Sequence, residues 1–441
     1  MQKRVKILVL LAILGFPFTL FSQTMELSLE DALKIAGNNN LTTQSAEARQ
    51  LAARSSYRMT NSVFLPGLSV SHTGVSTNDP LTTFGFKLKQ EIVGQVDFDP
   101  SVLNDPDGIE NFNTKIELSQ PLLNLDGIYA RKAAKSQYEA ASLQTNRVKE
   151  NIRYEVKTAY YLLELAQSSV RVIQQSVNLA EETLKLTKDN EAQGFVRQAD
   201  VLEAAVRLEE RRNQLLEAEN QYHSANEYLA HLLGLDLGTT IATTDSLVIS
   251  PAQLVAGVHP EAIQQRSDLQ AWQKQIEAGE NMLKSEKMKF LPRVNAFGSY
   301  EWNDKKFMGT SAENYLVGAS LSWNLFSGYK NAGSVQLATA RLDEARLGYN
   351  DYLSQSQLQL NRANRTLELS YRQIQSSKLA KEQAEESLRI RTERFKQGLE
   401  KTTDLLISEA LSSQKKLEYI QAIYNYKQAI FEMELLLEKE I

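Results

Sequence analysis

Between residues 152 and 187 the apolar positions recur in alternating steps of four and three: Ile152, Val156, Ala159, Leu163, Ala166, Val170, Ile173, Val177, Ala180, Leu184 and Thr187. A heptad stripe of this kind predicts a helix that packs along one seam against a partner helix. With its polar flanks included, the stripe predicts a helix from Ile128 to Glu191, roughly 95 Å long at about 1.5 Å per residue. Gly194, in Gln193-Gly194-Phe195-Val196, is the first glycine after this run. A second stripe follows it: Ala204, Leu208, Arg211, Leu215, Ala218, Tyr222, Ala225, Leu229 and Leu232. Glycine just past a helix is a common C-terminal cap, so a tight reversal into a very long antiparallel hairpin is predicted here. Arg211 is a polar fault in the second stripe, suited to a lumen or a neighbouring subunit.

Other segments alternate with a period of two. Val294, Ala296, Tyr300 and Trp302 alternate with Asn295, Ser299 and Glu301, and Tyr315, Val317, Ala319, Leu321 and Trp323 alternate with Gly318, Ser320, Ser322 and Asn324. Earlier in the chain, Leu68-Ser69-Val70-Ser71 and Lys115-Ile116-Glu117-Leu118-Ser119 repeat the pattern. Strands of roughly ten residues, apolar on one face and small-polar on the other, suit a transmembrane barrel, and a half-buried soluble sheet shows the same alternation. Trp302, Tyr315 and Trp323 at strand ends favour the membrane, where aromatic rings gather at both interfaces. Four strands cannot close a barrel, which takes about eight or more. Open sheet edges are not tolerated in lipid, so a membrane reading requires several copies to share one barrel.

The pattern occurs twice. Gln397-Gly398-Leu399 restates Gln193-Gly194-Phe195 after 204 residues, and at the same offset Leu163 maps to Leu367, Asp200 to Asp404 and Tyr222 to Tyr426. Phe64-Leu65-Pro66 returns as Phe290-Leu291-Pro292, 226 residues on. A longer insert in the first half, residues 76–112, accounts for the difference and is rich enough in Asn, Asp, Pro and Gly to predict an exposed loop. Each half is then one structural unit. The expected division is a signal segment 1–23, a first repeat 24–240, a linker or equatorial segment 241–260 and a second repeat 261–441.

Composition narrows the setting. All nine prolines lie at or before residue 121 or between 251 and 292, leaving 122–250 and 293–441 free for helices. Lys3, Arg4 and Lys6 precede an apolar run from Ile7 to Phe21, which is too short for a spanning helix and reads as a secretory signal cleaved near Gln23. Its removal takes the formal net charge from -5 to about -8, opposite in sign to a nucleic-acid binder. The chain has no cysteine, which excludes disulfides, thiolate metal sites and a cysteine nucleophile, and suits an oxidising compartment. Beyond the signal no apolar window is long enough to cross a bilayer as a helix, so any crossing falls to strands.

Catalytic patterns find no match: there is no Gly-x-Gly-x-x-Gly, no phosphate-binding Gly-x-x-x-x-Gly-Lys-Ser/Thr, no His-Glu-x-x-His and no Gly-x-Ser-x-Gly. The four histidines, His72, His223, His231 and His259, are too scattered for a metal site, and no cofactor or metal is expected. Glu181-Glu182 and Glu385-Glu386 read as solvated helix faces. Asp200 and Asp404 follow the two reversals, where a carboxylate also suits the positive end of a helix dipole.

The order of short helix, strand, loop, strand and long hairpin, all duplicated, resembles the TolC family of outer-membrane channel proteins. Leu27-Ser28-Leu29-Glu30-Asp31-Ala32-Leu33 looks like that family's opening helix. The two Phe-Leu-Pro junctions, Ser119-Gln120-Pro121-Leu122-Leu123 and Ser322-Trp323-Asn324-Leu325-Phe326-Ser327-Gly328 look like its helix–strand transitions. The resemblance covers nearly the whole mature chain. It implies a homotrimer with a 12-stranded β-barrel in outer-membrane lipid and a 12-helix α-barrel tunnel in the periplasm. The fold class expected is mainly α with a small β part, built on duplicated coiled-coil hairpins.

The resemblance also implies roles for the turns. Gly194, Phe195, Val196, Gly398 and Leu399 match the motif that docks a periplasmic adaptor protein. Asp404, with Asp200, Phe395 and Glu400, falls in the region that narrows the periplasmic entrance. Ile407 stands where a second acid is found in the family, Glu400 where a gate arginine is found and Phe395 where a tyrosine is found, so the polar latch differs in detail. The expected function is a passive exit duct of a tripartite efflux pump or type I secretion system, not an enzyme, fed by an RND, ABC or MFS-type inner-membrane transporter through the adaptor. The rival is an exported coiled-coil rod for structure or adhesion, with a soluble sheet and no pore.

Overall fold

The computed structural model describes residues 24–245, 247 and 260–440. The expected signal segment and most of the expected linker lie outside the described residues. The chain runs β1 (Met25–Leu27), α1 (Leu29–Asn39), α2 (Leu41–Met59), β2 (Gly67–Thr77), α3 (Pro80–Lys89), α4 (Pro100–Asn104), β3 (Ile109–Leu123), α5 (Leu125–Ala192), α6 (Gln198–Leu233) and β4 (Ile241–Thr243). It continues with α7 (Ser267–Met288), β5 (Arg293–Asp304), β6 (Ala312–Ser322), α8 (Lys330–Lys396) and α9 (Thr402–Leu437). The sequence of a helix, two strands, a very long helix and a 36-residue helix occurs twice, with α5 at 68 residues and α8 at 67. Residues 76–112, expected as a loop, hold α3 and α4, and β3 starts inside them at Ile109. Asp79 and Asp99 cap the two helices through the backbone N–H groups of Thr82 (2.8 Å) and Ser101 (2.9 Å), each just before a proline at the first helical position.

Two compact units divide the fold, and α5, α8 and α9 contribute to both. The first takes the described parts of Met1–Leu41, Ile152–Gln253 and Thr366–Glu432. In it the α5 and α6 stripes meet: Val177, Ala180 and Leu208 form a buried cluster with Leu184 and Leu215 packed on it. A fully buried leucine of this kind contributes about 2 kcal/mol relative to exposure. β1 and β4 pair in parallel, Met25 with Ile241 and Leu27 with Thr243, over the buried ring of Tyr160. The Tyr160 hydroxyl donates to the Leu27 carbonyl at 2.8 Å and accepts the backbone N–H groups of Thr244 and Asp245 at 3.2 Å. Burial pushes that phenol up to about 12. Gly234 ends α6 at φ +66, and a Cβ there would lie 2.7 Å from the Asn39 carbonyl oxygen, so only glycine fits.

The second unit takes Thr42–Asn151, Arg365 and the described residues before it from 254 onward, and the described part of Met433–Ile441. Its centre is an antiparallel sheet in the order β2-β3-β5-β6, which sets the second strand of one repeat against the first strand of the next. The register aligns Val70, Ile116, Tyr300 and Tyr315 across all four strands, with Leu68, Leu118, Gly298 and Val317 one row further along the same face. Val70, Leu118, Tyr300, Tyr315 and Val317 on this face are exposed. The opposite face carries Ser71, Lys115, Glu301 and Asn314 in one row, and the Asn113 side chain donates to Glu301 at 3.1 Å and to Asn303 at 3.0 Å. Leu316 and Phe297 break the polar pattern, and Phe297 lies against Gly318, where a Cβ would come within 2.7 Å of its ring. Elsewhere in the unit Arg266, buried, donates to Asp268 at 3.0 and 2.5 Å, while Arg147 reaches Asp268, the Leu435 carbonyl and Glu438. Glu438 also accepts the backbone N–H of Ser267 at 2.9 Å, which fastens the last turn of α9 to the start of α7.

Candidate functional site

Both hairpin turns lie in the first unit and share one backbone solution. At the first, Phe195 N–H reaches the Asn190 carbonyl (2.9 Å) and Gly194 N–H the Glu191 carbonyl (2.8 Å). At the second, Leu399 N–H reaches the Arg394 carbonyl (2.9 Å) and Gly398 N–H the Phe395 carbonyl (3.0 Å). This paired closure is the Schellman motif, and it needs a left-handed residue at the position both glycines hold, with φ +80 at Gly194 and +71 at Gly398. The motif leaves the next side chain outside the helix, so Phe195 is 71% exposed and Leu399 62%. Val196 is half-buried.

The acids and the aromatic residue divide by role. Asp200 is the third residue of α6, and its carboxylate accepts the backbone N–H of Arg197 at 2.9 Å, the bond of a helix-start cap. Asp404 holds the same place in α9 and is half-buried, and among the described residues its carboxylate has no hydrogen-bonded or ion-paired partner. Glu400 is held by Arg391 at 2.7 Å and Arg394 at 2.9 Å, and Arg394 also donates to the Leu399 carbonyl at 3.2 Å. Its side chain is 12% exposed, so it ties the turn to the last coils of α8. Phe395 is fully buried and packs the inside of the same turn. The structure therefore brings Phe395, Gly398, Leu399 and Glu400 together as one turn and sets Asp404 at the start of the next helix.

A polar seam between α5 and α9 has no counterpart in the apolar pattern of the sequence. The Thr183 hydroxyl donates to the Glu409 carboxylate, and further along the same two helices the Ser176 and Ser413 hydroxyls lie 2.8 Å apart. Burial pushes Glu409 up to about 7, opposed by the Thr183 hydrogen bond and by the positive charge of Arg211 on α6. The signal in the sequence was Arg211 itself, whose charge acts on a carboxylate from another helix. Further along, the Lys427 ammonium lies 4.2 Å from the centre of the Tyr161 ring, and burial pushes its pKa down against the pull of Asp245. Among the described residues no group of three or more metal-binding side chains occurs, and no helix is long and apolar enough to cross a membrane.

Comparison with known proteins adds four findings. The family model described as "Outer membrane efflux protein" matches residues 32–235 and 258–437. Outer membrane protein OprJ of Pseudomonas aeruginosa is 22% identical over 386 residues, spanning 84% of this chain and 75% of that protein. Among solved structures, the CmeC outer membrane channel of Campylobacter jejuni superposes with a TM-score of 0.81 at 16% identity, covering 93% of this chain and 85% of that one. The outer membrane protein VceC of Vibrio cholerae gives 0.79 at 17% identity, covering 93% and 96%.

Proposed function

From the premise that this chain belongs to the outer membrane efflux protein family, an outer-membrane exit duct for efflux, we propose that three copies close one 12-stranded barrel and continue it as a helical tunnel. The observation that carries this reading is the four-stranded sheet. It exposes an apolar row from Val70 to Tyr315, keeps its polar row of Ser71, Lys115, Glu301 and Asn314 on the other face, and has no strand beyond β2 or β6 among the described residues. In lipid both open edges must be paired, and neighbouring copies supply the partner strands. The polar face then lines the pore. A rod with a soluble sheet gives no account of an apolar face left in water.

The turns meet the transport partners. Phe195, Val196 and Leu399, presented by Gly194 and Gly398, form the surface on which a periplasmic adaptor docks, and an inner-membrane transporter supplies the energy. Asp404 from each copy gives a ring of three carboxylates near the entrance, which favours cations over anions at close range. Asp200, Phe395 and Glu400 act on the entrance through the shape of the turns, as cap, packing and clamp. Opening shifts α8 and α9 against α5 and α6, and the seam of Thr183 with Glu409 and Ser176 with Ser413 is the contact that has to give. The test is reconstitution of the purified protein into planar bilayers: trimeric protein that gives long-lived conductance steps supports the duct, and a monomer that neither inserts nor conducts overturns it.

A further inference from the structure

Where β6 hands over to α8, a groove of about 830 Å³ opens at the helical end of the sheet. Lys289, Arg293 and Lys330 line it together with Trp323, Leu325 and Phe326, and no acidic side chain does. Two of the cations are already ion-paired: Glu286 holds Lys289 at 2.7 Å, and Asp126 holds Arg293. Those carboxylates are largely buried while the Arg293 side chain stays 49% exposed, so each pair is neutral and the net positive charge of the groove comes from Lys330. Lys330 has no ion-paired partner among the described residues and stands in the first turn of α8, where the helix dipole adds positive potential. Trp323 donates its indole N–H to the Phe290 carbonyl at 2.9 Å, and the exposed rings of Phe326 and Tyr329 pack edge to face beside it.

We propose that this groove binds the phosphate headgroup of an anionic membrane phospholipid, with Lys289, Arg293 and Lys330 on the phosphate and Trp323 and Phe326 against the upper acyl chains. The inference rests on the placement of the sheet in the outer membrane, which sets this end of the strands at the headgroup level of the leaflet facing the periplasm. Amphipathic rings beside cations are the side chains that this depth selects. The fold supplies an internal control. At the 226-residue offset of the repeats, Lys289 and Arg293 are replaced by Val63 and Gly67, and Gln120 takes the part of Trp323 by donating to the Phe64 carbonyl at 2.7 Å. The corresponding first-repeat groove is smaller, about 560 Å³, with Arg58 as its one cation. The three-cation lining of the second-repeat groove is therefore not repeated in the first-repeat groove.

The experiment embeds the purified full-length protein in nanodiscs of mixed phosphatidylglycerol and phosphatidylcholine and counts the lipids retained on it by native mass spectrometry. Trimer assembly and conductance are checked first, so that a failure of the duct reading is seen separately. The parent protein is expected to retain phosphatidylglycerol in preference to phosphatidylcholine. Lys330→Gln should lower that preference about fivefold, and Lys289→Gln with Lys330→Gln should abolish it, given the worth of one cation at an anionic surface. Arg58→Gln should leave it unchanged. Equal retention of both lipids by an assembled, conducting parent, or an undiminished preference in Lys330→Gln, overturns the proposal. So does cross-linking of Trp323 to a neighbouring copy, which gives the groove to the subunit interface.

Discussion

The hydroxyl of Thr183 in the first repeat donates to the carboxylate of Glu409 in the second, and this bond joins the two hairpins within one chain. Burial raises Glu409 from 4.5 to about 7, so the folded protein holds its proton more tightly than the unfolded chain does. The stability contributed by that proton is fully present below pH 4.5 and is lost as pH rises through about 7. The whole shift is worth on the order of 3 kcal/mol. Glu409→Gln keeps an acceptor for Thr183 and removes the titration. In detergent melts the variant should match the parent at pH 4 and exceed it at pH 8, and a difference that does not change with pH would remove Glu409 as its source.

The clamp on Glu400 is a separate prediction. Glu400→Gln leaves Arg391 and Arg394 without their shared charge partner and should loosen the second turn by about 1–2 kcal/mol. Hydrogen exchange of the amides from 394 to 401 checks it. The expected result is faster exchange there with the first turn at 190–197 unchanged, and unaltered exchange at both turns would show that the clamp adds nothing.

Gly194 and Gly398 have open space around a would-be Cβ, so their requirement is conformational and not steric. Gly398→Ala should cost about 1 kcal/mol, and Gly398→Asn less, because asparagine tolerates the left-handed region. Melting temperatures of the two variants decide this, and equal melting would mean that the backbone strain is relieved elsewhere.

Asp404 should act on ions and hardly on stability, since among the described residues nothing pairs with it. Asp404→Asn is expected to lower cation-over-anion selectivity, read as a shift of the reversal potential toward zero in a salt gradient, with the melting temperature held within a degree or two. An unshifted reversal potential would place the selectivity on the polar face of the sheet.

The long-range order was legible because its signals are periodic. Val177, Ala180 and Leu184 belong to one stripe and Leu208 and Leu215 to the next, each in steps of three and four, and the two stripes meet in one cluster. The strands were legible through alternation, although Leu316 and Phe297 on the polar face defied it. The Asn, Asp, Pro and Gly content of the insert predicts a loop, whereas Pro80 and Pro100 each sit at a helix start behind a capping aspartate. At the turns the glycines announced the geometry. The engagement of Glu400 by two arginines from the preceding coils depends on how the turn folds back, which no period in the sequence encodes. Glu409 was hidden for the same reason, because its partner Thr183 is 226 residues away.

The central claim is that the chain spans the outer membrane with α4 outside and the hairpin turns in the periplasm. The absence of native cysteine allows a direct measurement. Asn104→Cys, at the end of α4, and Gln193→Cys, in the first turn, are expressed singly, and intact cells are treated with a membrane-impermeant maleimide. A spanning duct gives labelling at residue 104 and protection at residue 193 until the outer membrane is permeabilised. Labelling of both in intact cells, or protection of both with the protein in the soluble periplasmic fraction, would contradict it.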